Sequence, residues 1–309
     1  MSFTDGAPMS RPLAALLLLT CTTLWGFAFI AQKSGMETMG PLTFAGVRYL
    51  LGGLCVLPIA LWEKRRNPKP LSTRDWLMIG LLSLVFFVGS WLQQTGLGST
   101  TATNAGFLTG LYVFFVPVLG LLLFGTRPHP IIVVCVPLAL IGIYFLNGGG
   151  LGSFNGGDGL VVVSAVFWAM HVLVLGLVAR STGLPIFVSA VSFLVGGAIA
   201  LGAALVVETP TLSGISAGWM QLAYAGILST AVAFTFQAIG QQYVPSANAA
   251  IILSAESLFA ALGGALLLGE RLPPIGYAGA ALIFVAIVAV EALPPLWARR
   301  QAHVPRPTN

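Results

Sequence analysis

The chain has 309 residues, of which 57% are hydrophobic and only 7% are charged, and its net charge is +5. A soluble domain usually has about a quarter of its residues charged, so this composition excludes an ordinary soluble globular protein. Apolar stretches recur along the whole length, and the mean hydropathy is +0.94. The sequence therefore predicts an all-α integral membrane protein that crosses the lipid bilayer several times.

Ten apolar segments have about the length that a helix needs to cross a bilayer, which is roughly 20 residues. Transmembrane β-strands would give alternating segments of about ten residues, whereas these segments are long and unbroken. In chain order the predicted spans cover 12–34, 41–62, 76–97, 102–125, 130–147, 158–180, 184–207, 219–241, 246–269 and 275–293.

Basic residues are distributed unevenly between the two sides of these ten spans. Eleven lysines and arginines fall on the side of the termini, and only Lys33 and Arg271 fall on the other side. Short loops rich in lysine and arginine stay in the cytoplasm, so we expect both termini to be cytoplasmic. The positive charge reflects this topology, and no nucleic-acid partner is expected, because there is no basic face on a folded soluble module.

The sequence matches itself at an offset of 144 residues. Apolar sequence would align leucine and alanine by chance, but it would rarely align Gln, Asn, Arg and Gly in one register. Five spans in each half is an odd number, so the second half must enter the membrane inverted. Inverted repeats are typical of secondary transporters. Matched pairs include Pro41 with Pro185, Gly53 with Gly197, Gln93 with Gln237, Asn104 with Asn248, and Arg127 with Arg271.

The offset divides the chain into three parts. The first five-helix repeat covers 1–147, a Gly-rich linker covers 148–157, and the second, inverted repeat covers 158–309 and ends in a short basic tail. The linker lacks the Lys-Ser/Thr ending of a phosphate-binding loop, and its composition is typical of a flexible connection. The three cysteines show no metal-ligand spacing, and neither a metal nor a cofactor is expected.

Three ionisable residues lie well inside predicted spans, where such groups usually face the interior of a helix bundle. Arg48 either binds a substrate carboxylate or caps a neighbouring helix end and reaches toward the interface. His171 either binds substrate or a proton, because imidazole titrates near neutral pH, or forms a structural hydrogen bond. Glu256 lies on a face of small residues and must be protonated or held by donors. Its role is either structural and gating, or proton coupling and substrate binding.

Aromatic and uncharged polar side chains share helix faces with these groups. Trp168 lies three residues before His171, and Phe234 lies three residues before Gln237. The repeat-related glutamines Gln93 and Gln237 line either a cavity or a pair of structural hydrogen bonds. The candidate substrate-binding residues are Trp25, Trp91, Gln93, Tyr112, Trp168, His171, Phe234 and Gln237, and the candidate coupling or gating residues are Glu256, Arg48 and His171.

Three segments resemble the EamA branch of the drug/metabolite transporter superfamily. They are "LWGFAFIAQK" in the first span, "NAGFLTGLYVFFVPVLGLLLFGTRP" in the fourth and "SAESLFAALGGALLLGERL" in the ninth. The resemblance covers essentially the whole chain. It implies a ten-helix carrier with two inverted repeats and, as in bacterial members, export of amino acids or other small metabolites across the inner membrane.

The sequence thus predicts a secondary transporter for a small organic solute, such as a neutral or aromatic amino acid, with protons as a candidate coupling ion. A membrane-embedded enzyme is one alternative, but no two acidic residues pair with His129, His171 or His303 at catalytic spacing. A channel is the other, but no filter sequence is evident, and the inverted repeat favours a carrier.

Overall fold

The computed structural model describes residues 9–68, 70–146, 148–150, 155–267, 269, 271 and 273–302. Every regular element in these ranges is helical. The helices are α1 (Arg11–Gly35), α2 (Pro41–Arg66), α3 (Thr73–Leu97), α4 (Ala102–Thr109), α5 (Tyr112–Phe124), α6 (Ile131–Leu146), α7 (Gly156–Thr182), α8 (Pro185–Val207), α9 (Leu212–Ala217), α10 (Trp219–Ala223), a π-helical segment (Tyr224–Phe234), α11 (Thr235–Gly240), α12 (Ser246–Leu253), α13 (Glu256–Leu267) and α14 (Pro274–Ala302).

Eight of the predicted spans correspond to helices that are long and apolar enough to cross a membrane. Three of these eight are built from consecutive elements: α4 with α5, α10 through α11, and α12 with α13. The predicted spans 130–147 and 275–293 coincide with shorter apolar helices, Ile131–Phe145 and Pro274–Ala289. The count of ten spans therefore stays a prediction.

Two helix starts are fixed by reciprocal capping pairs, which satisfy free N–H groups of the first turn. At α3, the Ser72 hydroxyl accepts from Asp75 N at 3.1 Å, and the Asp75 carboxylate accepts from Ser72 N at 2.9 Å. At α7, Asn155 and Asp158 make the same pair of bonds at 3.1 and 2.9 Å. This pair starts α7 at Gly156, so the predicted linker is shorter than 148–157. Its central residues 151–154, like the tail 303–309, lie outside the described residues.

The long helices pack in pairs taken from the two halves of the chain. α2 lies along α8, α3 along α7, and α6 along α14. α1 contacts α13, the π-helical segment and α11, while α7 contacts α4 and α5. The main cluster of buried apolar side chains runs through these contacts.

Two glutamates cap the starts of helices in the opposite half. Glu63, near the end of α2, accepts from Phe187 N at 2.8 Å at the start of α8. Glu208, just after α8, accepts from Leu42 N and Thr43 N at the start of α2, each at 2.9 Å. The first N–H groups of a helix have no partner within it, so each carboxylate supplies the acceptors that the other helix lacks.

Reciprocal glycine contacts let α2 and α8 approach closely. A side chain at Gly53 would place its Cβ 2.8 Å from Leu194 Cγ, and a side chain at Gly197 would place its Cβ 2.9 Å from Leu50 N. Gly53 and Gly197 are 144 residues apart, and so are Leu50 and Leu194. The same contact therefore occurs twice with the two helices exchanged.

Two membrane-length helices are interrupted at equivalent positions. α4 ends at Thr109 and α5 begins at Tyr112, while α12 ends at Leu253 and α13 begins at Glu256. Each pair of positions is 144 residues apart. Bonds of the tighter i→i−3 type close both interruptions, as in Ser257 N to Ser254 O at 3.2 Å. The interruptions place the side chains that follow them beside the centre of the bundle.

Removing the Glu208 carboxylate leaves the first N–H groups of α2 without acceptors. We expect Glu208→Ala to lower the free energy of unfolding by about 2 kcal/mol, because a helix cap and charge-assisted hydrogen bonds are lost. Thermal unfolding in detergent measures this as a lower midpoint temperature. The exposed Glu37, on the same face, serves as the control. Equal midpoints for Glu208→Ala and Glu37→Ala would show that the cap contributes nothing.

Candidate functional site

A small polar cavity lies at the centre of the bundle, where the interrupted helices meet α1, α2, α3, α7, the π-helical segment and α11. Its volume is about 40 Å³, enough for a few water molecules at most. We call it the central cavity. The residues around it are Trp25, Phe29, Gln32, Arg48, Gln93, Thr109, Tyr112, Trp168, His171, Val172, Ser229, Phe234, Gln237, Leu253 and Glu256.

The structure brings together nine of the ten residues that the sequence singles out. They come from seven different helical elements, so the cavity is assembled only by the tertiary fold. Their individual roles in binding and coupling stay predictions. The nine are Trp25, Arg48, Gln93, Tyr112, Trp168, His171, Phe234, Gln237 and Glu256.

Trp91 is the exception, and its predicted place in the cavity needs correction. Its side chain is 40% exposed and stacks on Phe87, with the ring centroids 6.3 Å apart. Successive residues of an α-helix point about 100° apart, and the preceding Ser90 faces inward, where its hydroxyl accepts from Tyr49 Oη at 2.6 Å. Trp91 is consequently turned to the outer surface of the bundle.

Aromatic rings form one wall of the central cavity. The ring centroid of Phe234 lies 4.6 Å from that of Trp25 and 5.7 Å from that of Trp168, on which it stacks. His171 lies edge-on to Trp168 at 5.5 Å. Such a wall offers apolar surface and ring faces to a bound solute.

The π-helical segment fixes Trp25 in this wall. Within it, Thr230 Oγ1 donates to the carbonyl of Ala225, five residues earlier, at 2.7 Å. The Ser229 carbonyl accepts from the indole N–H of Trp25 at 3.1 Å. π-Helical turns are rare and often occur at functional sites. Here the segment supplies a backbone acceptor that orients an aromatic side chain.

The polar groups of the cavity are only partly satisfied by the protein. Gln93 Nε2 donates to Thr109 Oγ1 at 2.9 Å. Seven other buried atoms around the same cavity have no hydrogen-bond partner among the described residues. Buried polar groups normally have a partner, so seven such atoms in one place indicate a site for water or a polar solute. They are Gln32 Oε1, Arg48 Nε, Tyr112 Oη, Trp168 Nε1, His171 Nδ1, Gln237 Oε1 and Glu256 Oε1.

Arg48 is held rigidly while part of its guanidinium group stays available. Its side chain is 3% exposed. Nη2 donates to Tyr49 Oη, and Cζ lies 4.4 Å from the Tyr49 ring centroid. Nε has no partner, and no carboxylate in the described part of the chain pairs with Arg48. A carboxylate is the acceptor that a guanidinium group binds best.

Tyr112 and Glu256 occupy equivalent positions, because each is the first residue after an interruption. Both are buried and line the central cavity. The two side chains are near enough to interact electrostatically. Glu256 therefore places its carboxyl group in the cavity beside a phenol and opposite in charge to Arg48 when ionised.

Several residues of the cavity were not among the sequence candidates. Phe29 and Gln32 lie four and seven residues after Trp25, so helical spacing could have identified them. Leu253 lies 144 residues after Thr109, so the internal repeat could have identified the pair. No sequence signal points to Ser229, because its contribution is a backbone carbonyl freed by the π-helical geometry.

Comparison with known proteins gives a consistent family match. The sequence profile of the EamA-like transporter family matches residues 12–148 and again 155–291. An uncharacterized transporter of Archaeoglobus fulgidus is 32% identical over 284 residues, which cover 92% of this chain and 87% of that protein. The uncharacterized inner membrane transporter YedA of Escherichia coli K12 is 25% identical over 295 residues, which cover 94% and 92% of the two chains.

A protein of known crystal structure has the same fold. It is 20% identical in sequence, and it superposes with a TM-score of 0.75 over 94% of this chain and 99% of its own. At this level of identity the likeness concerns the fold alone.

Proposed function

Because this chain belongs to the EamA-like transporter family, we propose that it is a secondary active transporter that moves small organic metabolites, such as neutral or aromatic amino acids, by alternating access. Membership in the family makes it a multi-pass membrane transporter that acts on a small-molecule solute. The class of solute and the mechanism are inferred from the central cavity.

Ten helices in two inverted five-helix repeats are part of the proposal. The interruptions of two helices at positions 144 residues apart support it. So do the capping bonds of Glu63 and Glu208, each of which reaches the start of a helix in the opposite half. A pseudo-twofold axis in the membrane plane accounts for such exchanged contacts.

The proposed orientation places both termini in the cytoplasm of a bacterial inner membrane. The bias of eleven basic residues against two supports this. The relative YedA is named as an inner membrane transporter. Export as the net direction rests on the resemblance to bacterial members of the family.

The observation that carries the substrate class is the set of unpartnered polar atoms in an apolar bundle. Arg48 Nε is a cationic donor, and Glu256 Oε1 is an acceptor on a carboxyl group. A solute with a carboxylate and an ammonium group on one carbon satisfies both at once. An isolated charge in an apolar interior is costly, so a zwitterion fits better than a singly charged ion.

The rest of the cavity fits the body of such a solute. Trp25, Trp168 and Phe234 offer ring faces for an aliphatic or aromatic side chain. At about 40 Å³, the cavity is smaller than an amino acid in this conformation. Binding must therefore be accompanied by separation of the surrounding helices, as alternating access requires.

Counterflow in proteoliposomes tests this proposal. We expect saturable exchange of a labelled aromatic amino acid that unlabelled neutral amino acids inhibit. Trp168→Ala should raise the half-saturation concentration about tenfold or more, because a buried aromatic contact is lost. Trp91→Ala is the matched control and should leave it unchanged, because Trp91 faces outward. Linear, non-saturating flux would indicate a channel, and no competition across an amino-acid panel would exclude this substrate class.

Glu256 is the proposed site of proton exchange, with His171, Arg48 and Tyr112 facing the same cavity. We expect Glu256→Gln to abolish uptake driven by a pH gradient while counterflow, which needs no net proton movement, continues. The amide keeps the shape of the side chain but cannot titrate. Gradient-driven uptake with an unchanged pH profile in Glu256→Gln would exclude proton coupling at this residue.

A further inference from the structure

The two ends of the bundle are closed by similar cationic clamps. At one end Lys33 Nζ, on α1, donates to Leu97 O at 2.9 Å and Thr100 O at 2.8 Å, in the turn between α3 and α4. We call this end the Lys33 face. The clamp satisfies carbonyls at the end of α3 that have no helical partner.

At the opposite end, which we call the Arg180 face, an arginine of α7 does the same. Arg180 Nε donates to Gln241 O at 3.0 Å, and Nη2 donates to Val244 O at 3.3 Å, in the turn between α11 and α12. Gln241 and Val244 are 144 residues after Leu97 and Thr100. The clamps therefore occupy equivalent positions at the two faces.

The Lys33 face has a second connection, centred on Asp158 at the start of α7. Its Oδ1 accepts from Thr100 Oγ1 and from Asn104 Nδ2, each at 2.5 Å. Its Oδ2 accepts from Asn155 N at 2.9 Å. Asp158 is 1% exposed, and its bonds tie α7 to the start of α4.

The Arg180 face lacks an equivalent of this connection. The position 144 residues before Asp158 is Ala14, whose methyl group accepts no hydrogen bond. A cavity of about 240 Å³ lies at this face between α5, α7 and α12, with Arg127, Arg180 and Asn248 in its lining. We call it the access cavity.

The access cavity lies about one helical turn from the central cavity. On α5, Val116 lines the access cavity and Tyr112, four residues away, lines the central one. On α12, Asn248 and Leu253 are related in the same way over five residues. Four residues of α-helix rise only about 6 Å, so the two cavities follow each other along the same helices.

We propose that Asp158 is the gating residue that holds the Lys33 face closed, while the access cavity is the route by which solute reaches the central cavity in this conformation. The inference rests on the proposed transport function. Opening the Lys33 face requires the start of α7 to separate from the start of α4. Asp158 must then exchange Thr100 and Asn104 for water, and this exchange sets how often that face opens.

The charges at the access cavity fit the proposed solute. Arg127 and Arg180 line it, and a cleft of one sign raises the local concentration of oppositely charged groups. The carboxylate of an amino acid would meet these arginines before it meets Arg48. The two cavities thereby present cationic groups in succession along one path.

Sided thiol labelling tests the proposal without any substrate. Cys21, Cys55 and Cys135 are replaced, Gln237→Cys reports on the central cavity, and a membrane-impermeant maleimide is added from one face of oriented vesicles. We expect the reporter to react at least about tenfold faster from the Arg180 face. Asp158→Asn should raise the rate from the Lys33 face by about tenfold, because bonds to a carboxylate that stabilise the closed face are lost.

Asp75→Asn is the matched control. It removes the carboxylate of the capping pair at α3, as Asp158→Asn does at α7, but it touches no part of the Lys33 face, and we expect labelling to stay as in the parent. Thr100→Val removes one bond to Asp158 and leaves the α7 capping pair intact, so it should raise the rate from the Lys33 face by a smaller factor. This second variant keeps the test decisive if Asp158→Asn fails to fold.

Equal labelling from both faces in the parent would overturn the proposal, and so would rates in Thr100→Val and a folded Asp158→Asn that match Asp75→Asn. Labelling depends on access alone. A protein that shows the expected sidedness but no counterflow of amino acids would contradict the proposed substrate class and leave the gate in place. Counterflow without sidedness would do the reverse.

Discussion

The cost of leaving a hydrogen-bonding group unpartnered in an apolar interior governs this structure. A bundle that crosses a bilayer has no water at its core to satisfy such groups, so the protein must supply every partner itself. It does so at the helix ends with side chains from distant parts of the chain. Glu63 and Glu208 supply acceptors for N–H groups, and Lys33 and Arg180 supply donors for carbonyls.

Against that background, the central cavity is the place where the protein leaves its own polar groups unsatisfied. The interruptions before Tyr112 and Glu256 bring a phenol and a carboxyl group to the centre, and Arg48 approaches them from α2. Their positions require partners that the protein does not contribute. A transporter needs this incompleteness, because a site satisfied by its own side chains would have nothing to offer a solute.

Much of the site followed from the sequence, because periodicity places a side chain on a face and the internal repeat pairs the faces. Trp168, His171, Phe234 and Gln237 were found in this way. Trp91 was misplaced, because a difference of one residue turns a side chain by about 100°. The interruption at Ser254 and the π-helical segment depend on backbone geometry that composition does not reveal. The bonds of Asp158 join residues 54 and 58 positions apart, and only the folded chain brings these groups together.

Binding measurements on purified protein with three related solutes test the central claim most directly. Calorimetry would compare phenylalanine, its methyl ester, which lacks the carboxylate, and 3-phenylpropanoate, which lacks the ammonium group. We expect phenylalanine to bind, and each of the other two to bind at least about tenfold more weakly, because a charge-assisted hydrogen bond to Arg48 or Glu256 is lost. Equal affinity for all three would contradict recognition of a zwitterion by these two residues, and so would binding of the ester or the acid alone.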